Sequence, residues 1–185
     1  MIETPRLLLR AWRDADRDAY AAMMADPEVG SWLGATLGRA EADAQVDRFI
    51  APPTLRGPGF LAMERRADGA FLGAACLREM FPGHPLAGQV EIGWRLARSA
   101  WGAGHATEAA RALLDEGFGP MALAEIVACT AISNVRSRAV MERLGMARSP
   151  ERDFDHPALA EGHPLRAHVV YVIGRRPPEH AKATG

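Results

Sequence analysis

The stretch that most constrains this chain is an apolar strand, Val90-Glu91-Ile92-Gly93-Trp94-Arg95-Leu96. It runs within a few residues into the turn Trp101-Gly102-Ala103-Gly104-His105-Ala106-Thr107-Glu108. Past the turn, Ala109, Ala110, Leu113 and Leu114 recur at helical spacing opposite Glu108, Arg111 and Asp115, which predicts a helix over 106–118. A helix N-terminus leaves N–H groups unpaired and carries partial positive charge, and glycine lets the backbone approach an anion closely. The turn is therefore a candidate phosphate site. Its spacing departs from G-x-x-x-x-G-K-[ST] and from G-x-G-x-x-G, which argues against a P-loop nucleotidase and a dinucleotide fold. A plain strand-to-helix turn that needs glycine only for geometry is the other reading of the same residues.

A second strand-to-helix unit follows. Ile126-Val127-Ala128-Cys129-Thr130 reads as a buried strand, and Val135 to Leu144 as a helix closed by Gly145. Asn134, Ser137 and Met141 fall near one face of it. Taken singly, Asn134 reads as an N-cap and Ser137 as a solvated helix residue. Upstream, a strand is expected over 7–12, then a helix capped by Asp14 with Ala19, Tyr20, Met23 and Met24 on its apolar side, closed by Asp26-Pro27. A helix over 39–50, strands over 60–65 and 71–77 joined by an Ala67-Asp68-Gly69 turn, and a last strand over 168–173 complete the order. The expectation is one α/β (α+β) domain over 1–175, with a flexible tail over 176–185.

Composition narrows the function. The chain has 185 residues, 48% apolar and 24% charged, which favours one ordinary globular domain. The net charge is −1, so a general nucleic-acid binder is not expected. Of the 22 Lys+Arg residues all but Lys182 are Arg, a bias best assigned to coding composition. Two cysteines, Cys76 and Cys129, are too few for a disulfide scaffold and fit a reducing cytoplasm. The longest uncharged run, 80–90, is 11 residues long and holds two prolines, so no membrane span is expected. His156, His163 and His168 match no standard metal-ligand spacing, and there is no G-x-S-x-G elbow of a serine hydrolase.

Together, the 101–106 turn, the opening Thr4-Pro5-Arg6-Leu7-Leu8-Leu9-Arg10 and the 134–146 helix resemble the Gcn5-related N-acetyltransferase superfamily (GNAT), in particular its ribosomal-protein N-terminal acetyltransferase-like branch. Gly104 and Ala106 match the small positions of its [Q/R]-x-x-G-x-[G/A] acyl-CoA motif, and Trp101 replaces the usual Gln or Arg. The resemblance implies a mixed, mostly antiparallel sheet splayed at the acyl-CoA site, and acetyl-CoA as co-substrate without a metal. The pyrophosphate would rest on the backbone of Gly102, Ala103, Gly104, His105, Ala106 and Thr107. The pantetheine arm would pair with the backbone of Trp94, Arg95 and Leu96, and Asn134 would bond near the thioester. Met141 stands where many members carry a Tyr that protonates the leaving thiolate, and Ser137 is the substitute.

An amine attacks a thioester only when neutral, whereas a primary amine with pKa near ~10.4 is protonated at pH 7, so a base is needed. Glu91 is the candidate. A structural carboxylate paired with an Arg such as Arg95 is the alternative reading. The loop Phe154-Asp155-His156-Pro157 with His163 and His168, and the Trp32 to Gly34 turn, are expected to border the acceptor cleft. The implied function is direct acetyl transfer to a primary amine, either a protein N-terminal amine or a small molecule, by a monomer or a homodimer. The rival is a non-catalytic acyl-CoA-binding sensor, favoured by Met141.

Overall fold

Nine strands form one sheet: β1 (Ile2–Glu3), β2 (Leu7–Arg10), β3 (Gly59–Arg65), β4 (Phe71–Glu79), β5 (Val90–Leu96), β6 (Glu125–Ala131), β7 (Ala147–Arg148), β8 (Phe154–Asp155) and β9 (Ala167–Gly174). The computed structural model describes residues 1–175, so the expected tail lies outside the described residues. The strand order is β1-β2-β3-β4-β5-β6-β9-β7, with β8 also on β9. Every pairing is antiparallel except β5 with β6.

That parallel pairing positions the site. β5 stays in register with β4 along its whole length, from Glu79↔Val90 to Gly73↔Leu96. It meets β6 at a single bridge, Glu91↔Val127. Beyond Glu91 the two strands separate, and the backbone groups of β5 that would face β6 are left without a ladder partner. Unpaired backbone groups need another partner, and a cleft opens where they lie.

Helices cover both faces. On one, α1 (Arg17–Ala25), α2 (Pro27–Gly30) and α3 (Arg39–Ile50) bury Tyr20, Met23, Met24, Val29, Ala42 and Val46 against Ala62 and Ala74. On the other, α4 (His105–Phe118) and α5 (Val135–Arg143) bury Ala109, Ala110, Leu113, Leu114 and Met141 among Leu7, Leu9, Leu77 and Ile92. Burying each such aliphatic side chain contributes about 1.5–3 kcal/mol. α4 therefore seats the glycine turn firmly on the sheet.

Several boundaries differ from expectation. The first strand ends at Arg10 rather than at residue 12, because Trp12 turns off the sheet to pack against Tyr20, Phe49 and Phe71. Its Nε1 donates to the Phe60 carbonyl at 3.1 Å. Asp14 does not cap α1. A 3-10 turn, Asp14–Asp16, precedes the helix, and Asp16 accepts from the guanidinium of Arg10 and the N–H of Arg13 at 2.8 Å. Asp26-Pro27 ends α1 as expected, but Asp26 then caps the short α2 by accepting from the Glu28 N–H. β1, β7 and β8 are two residues each and too short to leave a periodic signal.

Candidate active site

The phosphate turn is built by geometry that only its sequence allows. Gly102 and Gly104 have φ of +77° and +80°, the left-handed region that costs an L-residue roughly 1–2 kcal/mol. Gly104 is the residue before α4, and the first bond of the turn into the helix runs from Glu108 N–H to its carbonyl. Among the described residues, the N–H groups of Gly102, Ala103, Gly104, His105, Ala106 and Thr107 donate no hydrogen bond within the protein. These unpaired donors stand at the positive end of a 14-residue helix, an arrangement that can stabilise an anion. Trp101 precedes the turn in the chain. Its Nε1 donates to the Leu96 carbonyl at 2.9 Å, and Arg136 lies over its ring at 4.6 Å.

A clasp from the N-terminus holds the turn. Glu108, in the first turn of α4, accepts from Thr4 Oγ1 at 2.6 Å, from the Arg6 N–H at 2.9 Å and from Arg6 Nε at 2.6 Å. Arg6 also donates to the Ala103 carbonyl at 2.9 Å. Burial opposes ionisation of Glu108, but these three bonds prevail and hold its carboxyl below the usual range. Glu108 is thus not simply a residue of the solvated face of α4. The Thr-Pro-Arg opening carried the signal for the clasp, but nothing local ties it to a residue 104 positions away.

Glu91 sits at the apex of the splay, its side chain 13% exposed. The alternative reading, a carboxylate paired with an Arg, is met by a different residue than the Arg95 it named. Arg78, opposite Glu91 in the β4–β5 register, supplies the contact, Nη2 to Oε2 at 3.4 Å, while Cys129 donates its S–H to Oε1 at 3.4 Å. Arg95 lies two pleats along β5 on the same face and donates instead to the Tyr20 hydroxyl and Gln45 Oε1. Arg78 and Cys129 were not read from the sequence as site residues, since the residue opposite Glu91 depends on a register set across the connection over 80–89. Burial pushes the Cys129 thiol well up, and it pushes Cys76 up to about 12. Neither is a thiolate at neutral pH, so neither is a ready nucleophile.

Asn134 is buried before α5 and accepts from the Ser137 N–H through Oδ1 at 3.2 Å, an N-cap bond that turns its amide nitrogen away from the helix. Asn134, Ser137 and Met141 line the same cleft as the turn, with the Met141 side chain 2% exposed. The cleft holds about 2270 Å³ and is continuous from the phosphate turn past Glu91 to Trp32, Leu33, Gly34, His156 and His168. Of the loop expected at its border, His156, Pro157 and His168 line it, whereas Phe154, Asp155 and His163 do not; Phe154 stacks on His168. Burial lowers His84 and His168 below the usual imidazole range. Among the described residues no group of three or more His, Cys, Asp or Glu is arranged to hold a metal ion, and no helix is long and apolar enough to cross a membrane.

This geometry agrees with what the chain resembles. The family model described as an acetyltransferase (GNAT) domain matches residues 6–147. The FsC-acetyl coenzyme A-N(2)-transacetylase of Aspergillus fumigatus is 28% identical over 183 residues, covering 94% of this chain and 76% of that protein. Among solved structures, a GNAT-family acetyltransferase from Bacillus anthracis superimposes with a TM-score of 0.78 at 23% identity, over 94% of this chain and 98% of that one. The spermidine N-acetyltransferase of Vibrio cholerae, in complex with CoA and spermine, superimposes with a TM-score of 0.71 at 17% identity, over 93% and 97%. Both structural matches speak for the fold. With a family model matched over most of its length, the chain belongs to the acetyltransferase (GNAT) family and is an acetyl-CoA-dependent N-acetyltransferase.

Proposed function

We propose that the protein transfers the acetyl group of acetyl-CoA directly to a primary amine, as a member of the ribosomal-protein N-terminal acetyltransferase-like branch acting in the cytoplasm. The acceptor is a protein N-terminal amine or a small-molecule amine. The observation that carries the reading is the row of unpaired backbone donors from Gly102 to Thr107, of which all but Ala103 belong to residues that line one continuous cleft with Glu91.

In this reading those donors bind the pyrophosphate, and the ladder-free edge of β5 at Trp94, Arg95 and Leu96 pairs with the pantetheine amides. The free amide nitrogen of Asn134 donates near the thioester end. Bound acetyl-CoA supplies an activated acyl carbon with a thiolate leaving group. Glu91 takes the proton from the acceptor ammonium, directly or through one water, so that the neutral amine attacks; a C–N bond forms, the C–S bond breaks, and the second proton lost by the nitrogen balances the one that the leaving thiolate takes up to give the free thiol. Arg78 and Cys129 hold the carboxylate in place for that task. Ser137, one turn before the buried Met141, offers its hydroxyl to the departing sulfur. With a thiol pKa near ~8.5 the leaving group asks little of an acid. The sensor alternative gains nothing from Met141 in this arrangement, because Glu91 and the cradle are both retained.

Glu91→Gln tests the reading. Acetyl-CoA should bind with unchanged affinity by calorimetry, while thiol release on the best amine falls by about 10²–10⁴. Unchanged turnover in Glu91→Gln would remove the base.

A further inference from the structure

The acceptor half of the cleft carries a charge pattern that the transfer chemistry leaves unexplained. Arg78 and Arg95 lie on the same sheet face as Glu91 and close on the Phe60 ring, their guanidinium carbons 5.1 and 5.0 Å from its centroid. Phe60 sits opposite Cys76 and Cys76 opposite Gly93, so all of these side chains project toward α1 and α3. Glu91 accounts for one of the two positive charges, through Arg78. Among the described residues Arg95 is within ion-pair distance of no carboxylate. Its Nη1 donates to the Tyr20 hydroxyl at 3.0 Å and to Gln45 Oε1 at 3.2 Å, both neutral. Burial raises the Tyr20 phenol, so it supplies no negative charge.

The other carboxylates lining the cleft, Glu3, Glu108 and Asp115, belong to the N-terminal strand and α4 at the phosphate-turn end. Burial disfavours the charged forms of His84 and His168, which also line the cleft. Arg78 adds a buried Nε without a hydrogen-bond partner among the described residues. A planar guanidinium with donors to spare, stacked on an aromatic ring and lacking a counter-charge, is built to receive a carboxylate.

We infer that the acceptor is an amine that also carries a carboxylate, held by Arg95 while its amine faces Glu91, and that polyamines are poor acceptors. The inference rests on the transferase reading above and deepens it to a substrate class. A polycation would bring two or more further positive charges into a compartment already one positive charge in excess, whereas an anionic amine neutralises it. The pantetheine-facing role proposed for Arg95 uses its backbone and leaves the side chain free for this.

The test compares acceptors that differ only in the charge. Thiol release from acetyl-CoA is measured with L-glutamic acid α-amide against L-glutaminamide, with peptides beginning in Glu against the same peptides beginning in Gln, and with spermidine. The carboxylate-bearing member of each pair should be preferred by about 10–100-fold in kcat/KM, mainly through KM. The small pair and the peptide pair separate a free amine acceptor from a protein N-terminus. Arg95→Met should collapse the preference to within about twofold, and Arg95→Lys should restore part of it. Loss of a merely structural tie to Tyr20 and Gln45 would lower both members of a pair alike and leave their ratio unchanged, overturning the inference. If Arg95→Met does not fold, the unmodified protein still decides: its preference should shrink with added salt. Spermidine or glutaminamide turned over as well as the anionic amine would overturn the substrate class while leaving the transferase reading intact. No release from any amine with acetyl-CoA bound would overturn both.

Discussion

Gly104→Val is the most informative perturbation of the cofactor cradle. Gly104 has φ +80°, and a Cβ built there would meet only Arg6 Nη2, at 3.5 Å, so space is not the obstacle. A β-branched residue is a genuine outlier at that φ, and remaining there costs at least about 1–2 kcal/mol. The cheapest relief is rotation of the 104–105 peptide, which re-aims N–H groups that make no other bond. Losing one charge-assisted bond to a phosphate forfeits about 1.5–3 kcal/mol, roughly a ten- to hundredfold rise in Kd for acetyl-CoA. Gly145 is the matched control, with φ +79° and nothing within 4 Å, at the end of α5. Gly145→Val carries the same backbone penalty, worth about 3–5 °C in Tm for a chain of this size, with no phosphate contact to lose. Calorimetric titration of the two variants beside the wild type checks this. A folded Gly104→Val protein with wild-type affinity, or an equal loss of affinity in Gly145→Val, would refute the cradle.

Glu108→Gln should loosen the clasp on the turn. Because Arg6 is half exposed, the loss is screened to about 1 kcal/mol of stability, with a few-fold weaker binding of acetyl-CoA, measured by melting and titration. The carboxyl of Glu108 is held below its usual range, so its contribution is fully present above its unfolded pKa of about 4.3 and is lost as pH falls through the lower folded value. The difference in Tm between Glu108→Gln and wild type should accordingly shrink below about pH 4, and a constant difference would contradict the assignment. Asp16→Ala removes a partner of the buried Arg10 guanidinium and should cost about 3–5 kcal/mol, about 8–13 °C in Tm, read by calorimetry; a loss under 1 kcal/mol would count against a buried network. With both thiols raised by burial, Cys76 and Cys129 should react slowly with a disulfide reagent at pH 7.5, and mass spectrometry after incubation with acetyl-CoA should show no acetylated cysteine. An acetyl-cysteine adduct would replace direct transfer with a covalent intermediate.

Features legible in the sequence were those set by neighbours along the chain. The β3–β4 turn at Asp68-Gly69, the apolar stripe of α4 and the glycines that aim its first N–H groups are all local. Features that escaped depend on partners distant in the chain. Arg78 meets Glu91 only because the connection over 80–89 sets the β4–β5 register, and a shift of one residue would turn Arg78 to the other face. Trp12 looks like strand until Tyr20, Phe49 and Phe71 offer it a pocket off the sheet. The splay was implied by the family resemblance alone: it is an absence of pairing beyond Glu91↔Val127, and no residue type signals the lack of a hydrogen bond.

The central claim is that the cradle and Glu91 act on one substrate pair in one cleft. Its most direct test is thiol release on mixing the purified protein with acetyl-CoA and a panel of amines and N-terminal peptides, after titration has established binding. Release that needs both acetyl-CoA and an amine, with N-acetyl product matching thiol one for one, is the predicted result. Tight binding of acetyl-CoA with no release from any amine would contradict the account.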